Sequence, residues 1–291
     1  MTKTAWVFPG QGSQKIGMGV DLLYLPSAKE KFEQAEQILG WSITEICQNE
    51  EEKLSQTLYT QPCLYVVESI LADEMLTRSL QPNLVAGHSL GEYVALYVAG
   101  VFDFETGLNL VKKRAELMNN VASGQMAALI GFDQKQLQEQ LEKIPDLVLA
   151  NDNSSAQVVI SGTPEAVETL LSKVKAKRAV KLNVSGAFHS PLMQSASTEF
   201  QQILESVKFA DAKVPVISNF EPSPTTDAAT IKQRLSQQMT NGVRWRETSL
   251  KLSEMGIEKV VEVGPRKVLT GLIKRTCPDL ELKNVSSLEE I

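Results

Sequence analysis

Histidine is scarce in this chain: His88 and His189 are the only two among 291 residues. Any proton transfer near neutral pH that needs an imidazole has only these to draw on. Cysteine is nearly as rare. Cys47, Cys63 and Cys277 are far apart, which gives no zinc-ligand spacing and suits a reducing, cytoplasmic compartment. A run of about 18 consecutive apolar residues is missing, so no membrane span is predicted. The opening MTKTAWVFPG meets Pro9 and Gly10 before any long apolar segment develops, so no signal peptide is expected. There is no P-loop, and the Gly10-Gln11-Gly12 turn lacks the third glycine of a dinucleotide fingerprint, which argues against a nucleotide cofactor. An excess of positive charge is lacking too. The formal charge of −6 disfavours a nucleic-acid or anionic-membrane surface, while leaving room for local basic patches that meet a phosphorylated ligand. No internal repeat or low-complexity tract interrupts the chain.

What is present is an alternation of apolar strands and amphipathic helices. At 43% hydrophobic residues the chain can bury a full core, as one large domain or a large domain carrying a small one. Short strands are predicted at 4–8, 84–87, 214–218 and 258–264, with helices at 27–39, 61–80, 90–100, 105–120, 194–207, 228–239, 246–255 and 265–276. Between them, residues 125–185 follow the order β-α-β-β-α-β, the split βαβ pattern, and Thr163-Pro164 marks a helix start there. The predicted fold is therefore α/β: a large α/β-hydrolase-like domain with a parallel sheet core, from residues 1–124 and 186–291, and an inserted ferredoxin-like subdomain, 125–185. Residues 278–291 are polar and are expected to pack weakly.

Gly87-His88-Ser89-Leu90-Gly91 lies between a predicted strand and a predicted helix. A G-x-S-x-G there has a physical reason: glycines allow the sharp turn, and the hydroxyl is lifted clear at a helix N-terminus whose N–H groups can stabilise an oxyanion. Serine at its ordinary pKa is a poor nucleophile and needs a base. His88 adjoins it, but neighbouring side chains on a tight turn point apart, so His88 reads as a packed residue holding the turn. His189, in a loop beside Gly186 and Pro191, is the better base. No acid announces itself beside His189, which fits a Ser–His dyad whose imidazole is oriented by a carbonyl and leaves a lipase-like triad open.

Several stretches together resemble the malonyl-CoA:acyl-carrier-protein transacylase family. They are FPGQGSQ at 8–14, TQP at 60–62, GHSLGE at 87–92, KRAELM at 113–118, GAFHS at 186–190, QMTNGVRW at 238–245 and EVGPRKVLTGL at 262–272. The match spans nearly the whole chain, and it resembles the stand-alone enzyme of type II fatty-acid synthesis more than a domain of a polyketide megasynthase. The resemblance implies that Ser89 forms a malonyl ester and that His189 is general base and then acid. It implies that the N–H groups of Gln11 and Leu90 form the oxyanion hole, and that Arg114 grips the malonyl carboxylate. The Gln238 main-chain carbonyl would orient His189, while Gln61, His88 and Asn153 line the site. Phe188, in an Ala-Phe-His order that resembles malonyl-selective relatives, would crowd an α-methyl branch. A planar guanidinium independently suits a carboxylate. Gly242 stands where a proline is commoner and is expected to loosen its loop. The implied partners are malonyl-CoA and, transiently, acyl carrier protein, with no metal or nucleotide cofactor, and a monomer is expected. Three other readings remain at this stage: a trans-acting polyketide-loading acyltransferase, a serine esterase or thioesterase, and a non-catalytic carrier-protein partner. The presence of Ser89, His189, Gln11 and Arg114 together disfavours the last.

Overall fold

The structure, a computed structural model, describes residues 2–121 and 124–291; Met1, Ala122 and Ser123, all within the expected segment 1–124, lie outside the described residues. Along the chain the strands are β1 (Thr4–Phe8), β2 (Leu84–Gly87), β3 (Gln125–Phe132), β4 (Leu147–Ser154), β5 (Gln157–Gly162), β6 (Ala176–Lys181), β7 (Val216–Ile217), β8 (Lys259–Val263) and β9 (Glu281–Val285). The helices are α1 (Pro26–Leu39), α2 (Ile43–Asn49), α3 (Glu51–Leu54), α4 (Thr57–Thr77), α5 (Gly91–Val98), α6 (Phe104–Asn119), α7 (Gln134–Lys143), α8 (Pro164–Lys173), α9 (Gln194–Ser206), α10 (Ala228–Gln237), α11 (Trp245–Glu254) and α12 (Val268–Thr276).

Two sheets organise these elements. One is five-stranded, in the order β7-β2-β1-β8-β9, and every neighbour in it is parallel. Its central strands are covered on both faces, as parallel sheets require: all of Leu84–Gly87 is buried, as are Ala5–Phe8. The other sheet has the order β4-β5-β3-β6 and is antiparallel throughout. With α7 and α8 packed against it, it closes a core of its own around Leu129, Ile160, Val167 and Leu170. Thr163 caps α8 by accepting from the Ala166 N–H, as the Thr-Pro signature predicts.

Several boundaries differ from the sequence expectation for identifiable reasons. Helix α4 begins at Thr57, a turn before residue 61, and carries Pro62 inside it. In sequence Pro62 reads as the first turn of a helix, which hides the Thr57–Thr60 turn that precedes it. Strand β7 is two residues long because Pro215 has no N–H to offer a ladder, although its carbonyl accepts from Val85. Residues 278–291, expected from their polarity to pack weakly, instead contribute β9, which extends the parallel sheet beside β8. Val285 and Leu280 are buried there, and the Asn284 amide donates to the Glu262 and Gly264 carbonyls.

The two sheets are joined by backbone as well as side chains. Val243, in the loop before α11, donates to Ala150 and accepts from Asp152, and Arg246 forks onto both carboxylate oxygens of Asp152 at 2.9–3.1 Å. Gly242 does not loosen this loop. A Cβ there would fall 2.6 Å from the Leu149 carbonyl oxygen, so the close approach of loop to strand needs glycine. Among the described residues, no helix is long and apolar enough to cross a membrane.

Candidate active site

Loops leaving the C-terminal ends of the parallel strands converge on one point, the usual location of ligands in such sheets. Gln11 follows β1, Ser89 follows β2 and Asn219 follows β7. Ser89 sits on a turn with φ of 54°, a left-handed conformation that a non-glycine residue holds only when its surroundings enforce it. Glycine makes that possible next door: a Cβ on Gly91 would collide with the Phe8 carbonyl. Asn219 braces the turn from the other side. Its Oδ1 accepts from the Ser89 N–H at 2.6 Å, and its Nδ2 donates to the Gly87 carbonyl.

His189, 3% exposed, also has a positive φ, 57°. The Ser89 hydroxyl donates to His189 Nε2 at 2.8 Å, and His189 Nδ1 donates to the Gln238 main-chain carbonyl at 2.9 Å. The second bond fixes the tautomer, leaving Nε2 free to accept the serine proton. Burial, aided by the nearby Arg114 charge, lowers the imidazole pKa to about 3, so it is a neutral base throughout the physiological range. No carboxylate takes the third position of a triad; a carbonyl does.

The N–H groups of Gln11 and Leu90 have no acceptor among the described residues. Gly10 packs so tightly against the serine turn that a Cβ on it would collide with the His88 carbonyl and lie 3.6 Å from the Leu90 nitrogen. Two unspent donors beside a serine hydroxyl are what a developing oxyanion needs. The Gln11 side chain is tied back by a bond from Nε2 to Thr57 Oγ1 at 3.1 Å.

Arg114 projects from α6 and is fully buried. It donates to Gln61 Oε1 at 2.7 Å, to Gln238 Oε1 at 3.0 Å and to Ser89 Oγ at 3.0 Å, and its guanidinium lies 5.3 Å from the centre of the Tyr93 ring. Such a group is positioned to receive an anionic substituent next to the nucleophile.

Of the residues singled out from sequence, Gln11, Gln61, His88, Ser89, Leu90, Arg114, Phe188 and His189 line a single cleft. Gln238 lies behind it, linking Arg114 to His189. Asn153 does not face the cleft; it accepts from His88 Nε2 at 2.8 Å, and the His88 ring also packs 5.5 Å from Trp245. Asn151, on the same strand, is the asparagine that lines the cleft, together with Met118, Met126, Leu182 and Val184.

Sequence reasoning missed Asn219, Glu92 and the side-chain role of Gln238. Glu92 lay within the GHSLGE motif and Gln238 was noticed only for its carbonyl, whereas nothing local to Asn219 distinguishes it from any polar residue after a strand. Glu92 Oε2 accepts from Gln238 Nε2 at 2.7 Å and from the Asn219 N–H at 3.2 Å, and Gln238 Nε2 also donates to the Ser89 carbonyl at 2.9 Å.

A serine held on a strained turn, a neutral histidine, free N–H donors and a buried arginine together define an enzyme of covalent acyl transfer. Comparison with known protein families matches residues 5–289 to the acyl transferase domain, and the chain belongs to that family. The malonyl CoA-acyl carrier protein transacylase of Synechocystis is 60% identical over 289 residues, spanning 99% of each chain. A crystal structure of the Synechocystis malonyl-CoA:ACP transacylase superposes with a TM-score of 0.98 at 60% identity, over 99% of this chain and 98% of that one. A malonyl-transacylase solved in complex with a type II PKS acyl-carrier protein superposes with a TM-score of 0.94 at 35% identity, over 99% of this chain and 97% of that one.

Proposed function

We propose that this chain transfers the malonyl group of malonyl-CoA to the phosphopantetheine thiol of acyl carrier protein, through a malonyl ester on Ser89, and so supplies fatty-acid elongation in the cytoplasm. The observation that carries the reading is the buried Arg114 guanidinium 3.0 Å from the Ser89 hydroxyl. A hydrolase of simple esters has no use for a fixed cation there, whereas a malonyl group carries a free carboxylate to meet it. The similarity to named malonyl transacylases along the full chain supports the same reading.

His189 takes the Ser89 proton as Oγ attacks the thioester carbonyl, and the Gln11 and Leu90 N–H groups hold the oxyanion. The C–S bond breaks, and the proton on His189 passes to the departing CoA sulfur. In the second half the carrier thiol gives its proton to His189 and attacks the ester, and Ser89 recovers its hydrogen. Serine, histidine and backbone donors supply every step, so the proposed reaction uses no metal or nucleotide cofactor. Arg114 orients the carbonyl over the serine as well as selecting the acid. Phe188, 5% exposed, forms part of the wall, and rejection of a methyl branch by such packing is worth on the order of 1–3 kcal/mol. We assign residues 1–124 and 186–291 to the catalytic unit and 125–185 to a small subdomain, on the strength of their separate sheets. Three buried free cysteines agree with the cytoplasmic location.

The test is intact-protein mass after brief mixing with malonyl-CoA, followed by phosphopantetheinylated acyl carrier protein. The expected result is one malonyl adduct on Ser89 that discharges onto the carrier. An adduct that decays in buffer at the same rate without carrier would replace the transacylase with a hydrolase. Comparison of fatty-acid and polyketide carriers as acceptors assigns the pathway.

A further inference from the structure

Arg114 poses an electrostatic problem that its own hydrogen bonds leave open. The guanidinium is fully buried, yet its acceptors, Gln61, Gln238 and Ser89, are neutral. A buried charge facing only neutral groups is strongly disfavoured. A counter-charge stands one amide away. Gln238 accepts from Arg114 through Oε1 and donates through Nε2 to Glu92 Oε2, so its dipole lies aligned between cation and carboxylate, a chain in which each bond polarises the next. Glu92 is itself fully buried. Its other oxygen, Oε1, has no hydrogen-bond partner, and neither has the buried Ser218 hydroxyl that neighbours it.

We propose that Glu92 is a positioning residue whose carboxylate is the counter-charge of Arg114 in the unloaded site, and that the malonyl carboxylate takes over this role as Glu92 picks up a proton from solvent. The proposal rests on the reading of Arg114 as the partner of the malonyl carboxylate. One guanidinium cannot offset two buried carboxylates, and like charges sharing a site do not both remain ionised. The malonyl group has the direct contact with Arg114, so Glu92 yields. Burial already raises the Glu92 pKa to about 7, so a small further rise carries it across neutrality. Once protonated, Oε1 can donate to the Ser218 hydroxyl, which can instead donate to the carboxylate and favour it when Glu92 is ionised, while Oε2 keeps its bonds to Gln238 and Asn219. The charged and titratable groups near Glu92 are Arg114 on α6 and Tyr93 on its own helix, whose phenol burial pushes far above its ordinary value. The loop after β7 and the end of α10 present neutral groups, Ser218, Asn219 and Gln238. The one bond made in this step is the Glu92 O–H, its proton drawn from solvent buffer, and the Ser89 proton follows its separate path to CoA.

The experiment is calorimetric titration of the Ser89→Ala protein at pH 7.5 with malonyl-CoA and with acetyl-CoA, each in phosphate and in Tris, whose heats of ionisation differ. The common CoA cancels between donors. Malonyl-CoA is expected to take up about 0.8 proton more than acetyl-CoA, from the linkage of a group near pH 7. In the Ser89→Ala/Glu92→Gln protein, where the amide oxygen can still accept both hydrogen bonds, that difference is expected to vanish. In protein with Ser89 intact, the KM for malonyl-CoA should rise with pH between about 6 and 8.5, approaching tenfold per unit above the Glu92 pKa. Glu92→Gln should flatten it while kcat keeps its pH profile. Preferential binding of malonyl-CoA with no extra proton uptake overturns the proposal, and this arm stands even where the glutamine variant does not fold. Equal affinity for malonyl-CoA and acetyl-CoA would instead remove the Arg114 reading on which it rests.

Discussion

The parallel and antiparallel sheets face each other across the cleft, but they contribute to it in different ways. From the parallel sheet come the serine turn after β2, the donor turn after β1 and the Asn219 brace after β7, each fixed by buried hydrogen bonds. From the antiparallel sheet come mostly walls: Met126 on β3, Asn151 on β4, and Leu182 and Val184 beyond β6. Beyond Asn151, it reaches the machinery through Asn153, which acts through His88 rather than on a reacting atom. The difference teaches that chemistry and shape are divided between the sheets. Substitutions of the chemical groups should therefore cut rates steeply, and those on the second sheet should change them little.

The steepest loss is expected at the dyad. His189→Ala should slow formation of the malonyl adduct by about 10²–10⁴-fold at saturating malonyl-CoA, and a wild-type rate in that variant would remove His189 as the base. The pH course sharpens the point. The active form of His189 is the neutral one, present above its pKa and lost as pH falls through about 3. Single-turnover acylation at saturating donor should therefore hold its rate between pH 8 and 5, and a limb centred near the ordinary histidine value would contradict this environment.

Arg114→Ala comes next. Malonyl transfer should fall about 10- to 100-fold more than acetyl transfer, since charge-assisted hydrogen bonds contribute about 1.5–3 kcal/mol and only malonyl offers the carboxylate. Equal losses for both donors would make Arg114 a structural residue. Between the sheets, Asn219→Ala and Asn153→Ala form a matched pair. The first leaves the Ser89 N–H without its acceptor in a buried turn and should reduce acylation about 5- to 100-fold, following the 1–3 kcal/mol of an unsatisfied buried group. The second removes a single bond to His88, and a change of only a few-fold is expected. A larger effect from Asn153→Ala in the same adduct assay would break the division of labour.

What was legible in the sequence follows the same division. GHSLGE and FPGQG are contiguous, and their glycines are demanded locally by turn geometry and close packing, so the serine turn and the donor turn could be placed without a structure. The dyad was legible because the chain contains so few histidines. Arg114 could be assigned only through the family resemblance, because a lone arginine beside Lys112 and Lys113 on a helix has no local mark of burial. Glu92, Asn219 and the Gln238 amide form one network from segments well over a hundred residues apart in the chain, and no spacing rule detects contacts set by the register of β2 and β7. Strand β9 was missed because Glu281, Lys283 and Asn284 make its segment read as polar, and Val285 is buried only by its place beside β8.

The smallest effect should come from the ion pair that ties the sheets together. Arg246 grips Asp152 with good fork geometry, which invites the view that it is a main fastening. The Asp152 pKa points the other way. Burial raises it above its ordinary value despite the Arg246 charge, so desolvation outweighs the attraction, as is common for partly buried pairs. A carboxyl raised in the folded state binds more protons there than in the unfolded chain at pH values above about 3.8, and stability then falls as pH rises through that window. Asp152→Asn keeps the shape and removes the charge. At pH 7.5 its melting temperature should match or exceed that of the unmodified protein, within about 2–4 °C, and any advantage should fade as the pH approaches 4. The backbone bonds of Val243 to Ala150 and Asp152 hold the sheets together in either case. A drop of more than about 4 °C at pH 7.5 would show instead that the ion pair is the fastening, and the antiparallel sheet would then depend on a charge for its place beside the cleft.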